Sequence, residues 1–375
     1  MAWRIRMISI TEFEPDYVVP PGEILMEYLD SLGMTQRDLA ARTGLTAKTV
    51  NEIVQGKAPI TAETALKLER VLGRPAHFWQ NLESLYQAAR VREQEQAHLV
   101  SDLDWLKRLP VAAITKLGWV STAADPCAQL DLMLRFFGIN SVTQWAVLWD
   151  DQAVAYRRSL HFETHPEAVS AWLRRGEIEA HGIACAPFDR SRFRAVLDEA
   201  RVLTREPPEV FQHKLIALCA SAGVAVVFVP ELPKTGVSGA TRWLTPDKAL
   251  IQLSLRYQSD DHLWFTFFHE AGHVLLHGKR AVFIEGDGAA DEKEREANRF
   301  AADLLIPPAA WRSLLAAGRP NLTQVQAFAR TIGIAPGIVV GRLQKEGVFE
   351  YKIGNRLKRR LCWVTPCPES VESAG

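Results

Sequence analysis

Two histidines separated by three residues are the most chemically distinctive feature of the sequence. His269 and His273 bound the segment His-Glu-Ala-Gly-His, and the apolar residues around it predict a helix from about 261 to 276. Side chains four residues apart project from one face of a helix, so the two imidazoles can share one tetrahedral cation. Glu270 would then lie beside the open coordination position, where it could remove a proton from water. The pattern predicts a catalytic Zn²⁺ site.

A carboxylate from the next predicted helix, 292–305, is expected to complete the site. The apolar residues of that helix define a buried stripe, and Glu294 falls about 50° from its centre. Glu296 and Glu292 fall about 110° and about 150° away, so these two carboxylates are expected to face water. Asn298 follows Glu294 by one turn and is placed to hold a ligand histidine through a hydrogen bond. We therefore predict Glu294 as the third metal ligand.

His277 continues the four-residue spacing but lies too far along the helix to bind the same ion. Eight residues of helix after His269 rise about 12 Å, whereas the ligands of one zinc ion lie within about 4 Å of one another. We expect His277 to cap the helix or to donate a hydrogen bond. The alternative for the whole segment is a buried helix with two hydrogen-bonded histidines. An inward carboxylate without a cationic partner would be costly, which favours the metal.

Both segments together resemble the ImmA/IrrE family of bacterial zinc metallopeptidases of the gluzincin type. The matching residues are His-Glu-Ala-Gly-His-Val-Leu-Leu-His at 269–277 and Glu-Arg-Glu-Ala-Asn-Arg-Phe at 294–300, and the resemblance covers roughly 205–345. Members of this family cut regulatory proteins, typically helix-turn-helix repressors. The resemblance implies zinc as the cofactor, a regulatory protein as the substrate and Glu270 as the general base. It also implies three zinc ligands, namely His269, His273 and Glu294.

A second set of residues, between 35 and 57, predicts contact with DNA. Two short helices are expected here, with Gly44 in the turn between them and Val50 and Ile53 facing inward. The start of the second helix is the end that meets base edges, and the start of the first can meet a phosphate. The predicted DNA-contacting residues are Gln36, Thr46, Ala47, Lys48, Thr49, Asn51 and Glu52.

This part of the chain resembles the phage-repressor (Xre) helix-turn-helix family and, within it, HigA-type antitoxins. The segments Pro-Gly-Glu-Ile-Leu at 21–25 and Leu-Gly-Arg-Pro-Ala-His-Phe-Trp at 72–79 carry the closer likeness, which covers about 15–90. The resemblance implies a homodimer on a palindromic double-stranded operator. The long C-terminal extension departs from those small antitoxins, so a toxin partner does not follow from it. The alternative is a helical bundle that serves only as a protein-interaction module.

The order of these patterns predicts a multidomain chain. We expect an all-α helix-turn-helix domain at 15–90, a mainly helical linker or spacer at 91–204, an α+β gluzincin-like metallopeptidase domain at 205–346 and a basic C-terminal tail at 347–375. Trp and Leu residues at helical spacing in the second segment predict an aromatic core rather than a ligand pocket. A weaker helix-turn-helix pattern at 323–343 is interpreted as packing for the metallopeptidase domain.

Composition sets the broad limits. A chain of 375 residues is too long for one compact core, and its 44 basic and 44 acidic residues exclude a uniformly basic nucleic-acid binder but not a locally basic face. The apolar runs are too short for a membrane span, and the N-terminus lacks a signal pattern. The five cysteines are odd in number and scattered, which favours the reducing cytoplasm over a disulfide framework.

The sequence therefore predicts a cytoplasmic, DNA-binding transcriptional regulator with a zinc endopeptidase domain that cleaves a regulatory protein. One alternative is a non-enzymatic HigA-like repressor or antitoxin whose peptidase fold acts as a sensing or binding platform. A third hypothesis, a peptidase tethered by a protein-binding bundle, predicts no operator. Binding to DNA upstream of the chain's own gene distinguishes the third hypothesis from the first two.

Overall fold

A computed structural model describes residues 19–150, 165–277, 283–284, 292–316 and 318–364. The chain divides into two compact units, Met1–Ser101 and Asp102–Gly375. Parts of all four predicted segments lie outside the described ranges, namely residues 15–18, 151–164, 278–282, 285–291, 317 and 365–375.

The first unit is helical, as predicted, and its helices enclose one apolar core. They are α1 (Pro21–Ser31), α2 (Gln36–Thr43), α3 (Ala47–Val54), α4 (Ala62–Leu72) and most of α5 (Ala76–Leu106), whose residues after Ser101 belong to the second unit. The side chains buried in the core include Leu25, Leu29, Leu39, Val50, Ile53, Leu68 and Trp79. The fifth helix continues to Leu106, because the polar, helix-prone segment after residue 88 extends the same helix.

Capping residues fix the ends of α2 and α3. The Thr35 hydroxyl accepts the N–H of Asp38 at 3.2 Å, and the Asp38 carboxylate accepts the N–H of Thr35 at 3.1 Å. This reciprocal pair satisfies two backbone donors at the start of α2. Gly44 ends α2 at φ 71°, a left-handed conformation that glycine adopts without steric cost. Thr46 then begins α3 by accepting the N–H of Thr49 at 3.0 Å.

The first part of the second unit is also helical. Its helices are α6 (Val111–Lys116), α7 (Pro126–Phe137), α8 (Val142–Trp145) with a π-helical turn at Ala146–Asp150, α9 (Pro166–His181), α10 (Arg190–Leu203) and α11 (Pro208–Ala220). An aromatic cluster formed by Trp105, Phe136, Phe137, Trp145 and Trp149 is buried here, in keeping with the predicted aromatic core. No helix in the described ranges is long and apolar enough to cross a membrane.

A small sheet follows, with strands β1 (Val224–Phe228), β2 (Gly239–Thr245), β3 (Lys248–Leu253) and β4 (Phe283–Ile284). The strand order is β1-β3-β2-β4, with β1 parallel to β3 and the other two pairs antiparallel. Buried-strand patterns at 224–229, 239–244 and 249–255 of the sequence predict the first three strands, whereas β4 is too short to produce a sequence pattern. Together with the helices around it, the sheet confirms the predicted combination of a helical N-terminal part and an α+β C-terminal part.

Five helices and a short 3₁₀ turn complete the described part of the second unit. They are α12 (Asp260–Leu276), α13 (Glu292–Leu305), α14 (Pro308–Leu315), α15 (Leu322–Ile332), α16 (Pro336–Lys345) and the 3₁₀ turn Asn355–Leu357. Helix α12 contacts β2, β3, α13 and α16, so it lies at the centre of this unit. Helices α15 and α16 place Val325, Ala329 and Val339 in the apolar core that also contains residues of α12.

Helix α9 packs on the sheet, although it precedes the domain boundary predicted at residue 205. The Trp172 indole donates to the carbonyl of Val229 at 3.1 Å, and the Gln252 amide donates to the carbonyl of Trp172 at 2.7 Å. Ile251 and Leu253, the neighbours of Gln252 on β3, point to the opposite face of the sheet, where they lie in the core that contains α12. Helices therefore cover both faces of the sheet. Strands buried on both faces lack the alternation of polar and apolar residues, so the sequence does not indicate the contact with α9.

Residues after 346, predicted as a basic tail, pack against the start of α12 as far as the structure describes them. The Arg359 guanidinium binds the Asp260 carboxylate at 2.9 Å, and the Lys358 ammonium binds the Asp261 carboxylate at 2.6 Å. Both carboxylates are buried, and burial raises the pKa of Asp260 even though Arg359 opposes the shift. The basic residues here neutralise buried acids of the helix that carries the two histidines.

We expect Arg359→Ala to destabilise the second unit by about 3 kcal/mol, because it leaves the Asp260 carboxylate buried without its cation. Arg360→Ala is the matched control, since Arg360 is exposed and reaches only Gln258, at 3.3 Å. Thermal and urea unfolding of both variants measures the difference. Equal stability of the two variants would show that the C-terminal pairs do not stabilise the fold.

Candidate metal centre and nucleic-acid interface

Helix α12 brings the two predicted histidine ligands together. His269 and His273 are each about 1% exposed, and their Nε2 atoms lie 3.0 Å apart. Burial lowers the pKa of His273 to about 4, although the neighbouring Glu294 carboxylate opposes the shift. The His273 ring is therefore neutral at pH 7, the form in which imidazole binds a metal.

Helix α13 adds the carboxylate. Glu294 lies 3.1 Å from His269 Nε2 and 3.3 Å from His273 Nε2, and its side chain is 13% exposed. Burial alone would raise the pKa of Glu294, but the contacts with the two imidazoles lower it to about 2. The carboxylate is thus ionised and directed at the histidine pair. In contrast, Glu292 is exposed and the Glu296 side chain is 56% exposed, as the helical periodicity predicts.

These three side chains fit a tetrahedral zinc ion. One donor atom from each lies within 4.8 Å of the others. Ligands about 2.0–2.1 Å from a zinc ion are separated by about 3.3 Å in a tetrahedron, and the observed separations are 3.0, 3.1 and 3.3 Å. Two imidazoles and one carboxylate with a fourth position left for water are the donor set of hydrolytic zinc sites.

The remaining nitrogens of the two rings are held by other side chains. His269 Nδ1 lies 3.1 Å from the Asn298 amide oxygen, so Nδ1 carries the proton and Nε2 keeps its lone pair for a metal. His273 Nδ1 lies 2.8 Å from His277 Nδ1. His277 ends α12, where its backbone N–H donates to the carbonyl of His273 at 3.1 Å. It thus combines the capping and hydrogen-bonding roles expected for it.

The proposed base, Glu270, is fully buried one residue after the first histidine. Strand β2 passes so close to it that a Cβ atom at Gly239 would lie 2.8 Å from Glu270 Oε1 and 2.5 Å from Thr266 Cγ2. Further along the strand, the Thr241 hydroxyl donates to the carbonyl of Glu270 at 3.1 Å. The strand therefore positions Glu270, and the absence of a side chain at Gly239 makes this approach possible. The sequence around Gly239 contains no pattern that indicates the contact.

Gly239→Ala is expected to displace the Glu270 carboxylate by a substantial fraction of an ångström, and any hydrolysis that depends on Glu270 as the base should fall by about 10²-fold. Zinc binding should persist, since none of the three donor atoms is touched. Gly182→Ala is the control, because a Cβ there meets no atom nearer than 3.4 Å. Turnover and zinc content of both variants test the prediction, which fails if Gly239→Ala retains wild-type turnover.

A cleft of about 820 Å³ extends from His269 and Glu294 along α12, α13 and α16. Its floor is mainly apolar, and its residues include Phe265, Ala302, Leu305, Ile306 and Ile338. Since His269, Glu294 and Asn298 line one part of it, the metal centre opens into a space large enough for several residues of a peptide.

The predicted DNA-contacting residues at α2 and α3 differ in how far their side chains are exposed. Thr46, Ala47, Lys48 and Asn51 are exposed, whereas Thr49 and Glu52 are half-buried and Lys48 lies 3.7 Å from Glu52. Gln36 is half-buried, and its amide donates to the Met26 sulfur at 3.4 Å. The exposed side chains near the start of α3 are thus directly available to a DNA groove, while the Gln36 amide is turned towards its own domain.

Comparisons with known proteins match the two parts of the chain to two families. Residues 25–79 match the helix-turn-helix family, and residues 219–344 match the IrrE N-terminal-like domain. Both resemblances inferred from the sequence are thereby confirmed.

Named relatives cover the N-terminal part. An uncharacterized HTH-type transcriptional regulator of Escherichia coli, YddM, is 33% identical over 89 residues, which are 24% of this chain and 88% of that protein. Antitoxin HigA-1 of Vibrio cholerae is 35% identical over 88 residues, covering 23% of this chain and 83% of the antitoxin. A solved structure of the Pseudomonas aeruginosa antitoxin HigA with the higBA promoter is 34% identical, covers 22% of this chain and 90% of that chain, and has a TM-score of 0.21.

Proposed function

Because this chain belongs to the helix-turn-helix family of HigA-like DNA-binding regulators and carries an IrrE N-terminal-like domain, we propose that it is a transcriptional regulator with its own zinc endopeptidase. The observation that carries the proposal is the convergence of His269, His273 and Glu294, with donor atoms within 4.8 Å of one another, next to the buried Glu270. Its substrate would be another regulatory protein, a repressor or an antitoxin.

His269, His273 and Glu294 would hold a zinc ion, which would supply a bound water of pKa about 7 and a positive charge to polarise a carbonyl group. The chain's own contribution is the movement of a proton. The Glu270 carboxylate accepts a proton from the attacking water and returns it to the nitrogen of the cleaved peptide bond. Its burial strengthens this role, because a carboxylate shielded from solvent water interacts more strongly with nearby charge. The apolar cleft binds the substrate chain and excludes competing water.

The helix-turn-helix unit would bring this activity to an operator. We expect a homodimer that places two copies of α3 in successive major grooves of a palindromic site. Lys48 and Asn51 are the exposed side chains of α3 suited to a phosphate and to a base edge, respectively. Proteolysis of a neighbouring regulator would then occur at the gene that this regulator controls.

Lys48→Ala should weaken binding to the DNA upstream of the chain's own gene and reduce the slope of log affinity against log salt by about 1. The matched control is Lys107→Ala. The two lysines are 83% and 79% exposed, and each pairs with an acidic residue three or four positions before or after it, but Lys107 lies outside the helix-turn-helix unit. Gel shifts at several stated salt concentrations measure the effect. An equal loss in both variants would show that unspecific charge, rather than α3, holds the DNA.

A direct test of the peptidase uses the zinc-loaded chain and the regulatory proteins encoded beside its gene. We expect one of these proteins to be cut at a defined bond, and the cut to disappear when a chelator removes the zinc. Gel electrophoresis and mass spectrometry of the fragments measure the outcome. If no such protein is cut while the chain still binds its operator, the non-enzymatic function described next is favoured.

The similarity to antitoxin HigA-1 supports a second candidate function, that of a repressor or antitoxin without turnover. In that case the peptidase fold serves as a sensing or binding platform, and the metal centre has only a structural role. Repression of the chain's own promoter would then be the same with Glu270 and with glutamine at that position. A reporter gene behind that promoter, measured with and without the presumed substrate, distinguishes the two functions.

A further inference from the structure

The second histidine ligand is followed by a chain of two hydrogen bonds that leads to the surface. His273 Nδ1 lies 2.8 Å from His277 Nδ1, and His277 Nε2 lies 3.2 Å from Glu296 Oε2. The His277 side chain is 4% exposed, whereas the Glu296 side chain is 56% exposed. The chain therefore connects a buried ring nitrogen to a carboxylate at the surface.

Metal binding at His273 Nε2 fixes the direction of both hydrogen bonds. A neutral imidazole carries one proton, so a ring that binds metal through Nε2 must hold its proton on Nδ1 and donate it. His277 Nδ1 then accepts that proton's hydrogen bond, which places the proton of His277 on Nε2. His277 Nε2 in turn donates to the Glu296 carboxylate oxygen, which accepts. With a metal at His273 Nε2, each ring therefore has one tautomer, protonated at Nδ1 in His273 and at Nε2 in His277.

Backbone geometry explains why His277 can form a hydrogen bond to His273 but cannot bind the same ion. Helix α12 ends at Leu276, and His277 adopts an extended conformation at φ −110° and ψ 161°. Its ring lies against the far side of His273, 4.9 Å from it between ring centroids. The ring thus reaches the nitrogen that points away from the metal, and Glu296 meets it from α13 although helical periodicity directs Glu296 away from Glu294.

We propose that Glu296 is a positioning residue for the metal centre, which acts through His277 to fix the tautomer and the orientation of His273. The inference rests on the metal centre of the proposed function, but it does not depend on the identity of the substrate. Helix α13 would then supply one ligand, Glu294, and hold both histidines, one through Asn298 and the other through Glu296 and His277.

Zinc affinity is the quantity that tests this role. Partners that orient a histidine ligand in this way typically contribute 10- to 100-fold to metal affinity. We expect His277→Ala to weaken zinc binding by about 30-fold and Glu296→Ala by about 10-fold. Glu296→Gln keeps a hydrogen-bond acceptor and should recover part of the loss. Glu292→Ala, an exposed carboxylate of the same helix, is the matched control and should bind zinc like the wild type.

The experiment is a competition titration of the full chain with zinc and a coloured chelator, repeated with cobalt to record its visible spectrum. If Glu296 acts through His277, the double variant binds zinc no more weakly than His277→Ala alone. The cobalt band of the single variants should also shift, because His273 is less well oriented, while the melting temperature of the metal-free protein stays within about 2 °C of that of the wild type.

Three results would overturn the inference. The first is a Glu296→Ala variant with wild-type zinc affinity and cobalt spectrum. The second is an additive double variant, which would mean that Glu296 acts without His277. The third is a wild-type chain that binds no zinc, which removes the metal centre as well. A chain that binds zinc with these expected differences but cleaves no protein would leave the positioning role intact and contradict only the proposed peptidase.

Discussion

The Glu270→Gln variant is expected to lose peptide hydrolysis by about 10³-fold while it still binds zinc and DNA. Glutamine has nearly the same size as glutamate, so the buried site beside Gly239 accommodates it. It cannot accept a proton, and removal of a general base typically costs 10²- to 10⁴-fold in rate. Since Glu270 is not one of the three converging donors, the zinc content should remain near that of the wild type.

Single-turnover cleavage of a substrate found among the neighbouring regulators is the appropriate measurement. Zinc content and operator affinity are determined on the same preparation, so that a failure to fold is recognised at once. Persistent cleavage by Glu270→Gln at more than about a tenth of the wild-type rate would show that another group takes the proton. Loss of zinc together with cleavage would mean that position 270 supports the metal centre itself.

Removal of a ligand has a different expected result, because it abolishes the metal site. Glu294→Ala should weaken zinc binding by about 10²- to 10³-fold. Structural zinc sites in zinc-finger peptides have an apparent binding free energy of about 10–16 kcal/mol from four protein ligands, which amounts to about 3 kcal/mol per ligand. Hydrolysis should disappear with the metal. Operator binding should stay unchanged, because the predicted DNA-contacting residues lie in the other compact unit.

Glu292→Ala is the control for this variant, since it removes the same charge from the first turn of the same helix. Glu292 is exposed, whereas the Glu294 side chain is 13% exposed and contacts both histidines. Zinc is measured by atomic spectrometry after dialysis against a weak chelator. If the two variants retain equal zinc, α13 does not supply the third ligand, and the metal centre is assigned incorrectly.

Helical periodicity explains why the sequence could predict that the side chains of the candidate metal centre lie together. A separation of four residues places His269 and His273 on one face, and the apolar stripe of α13 directs Glu294 and Asn298 inward. These inferences require only the geometry within a helix. The structure brings the four side chains together, at 3.0 to 3.3 Å between neighbouring polar atoms.

Contacts between elements distant in the sequence could not be predicted in this way. Gly239 lies on a strand, and its approach to Glu270 depends on how the sheet and α12 pack. Glu296 faces water by periodicity, yet it meets His277 because that residue leaves the helical path. Arg359 and Asp260 are 99 residues apart, so no local pattern relates the basic segment to the buried acid.

The helix-turn-helix unit was predictable for a similar reason. Thr35, Gly44 and Thr46 are local signals that begin or end helices, and the structure places each at the expected helix end. Such local signals predict where a helix begins but not where a long side chain such as that of Gln36 points. Its position at the start of α2 suggested a phosphate contact, but the side chain is long enough to reach Met26 on α1.

An anomalous diffraction map of a zinc-loaded crystal tests the central claim most directly. We expect one strong zinc peak per chain, about 2.0–2.2 Å from His269 Nε2, His273 Nε2 and a Glu294 oxygen, with Glu270 next to the remaining position. A map without zinc at this place, or a Glu294 side chain directed away from the two imidazoles, would contradict it.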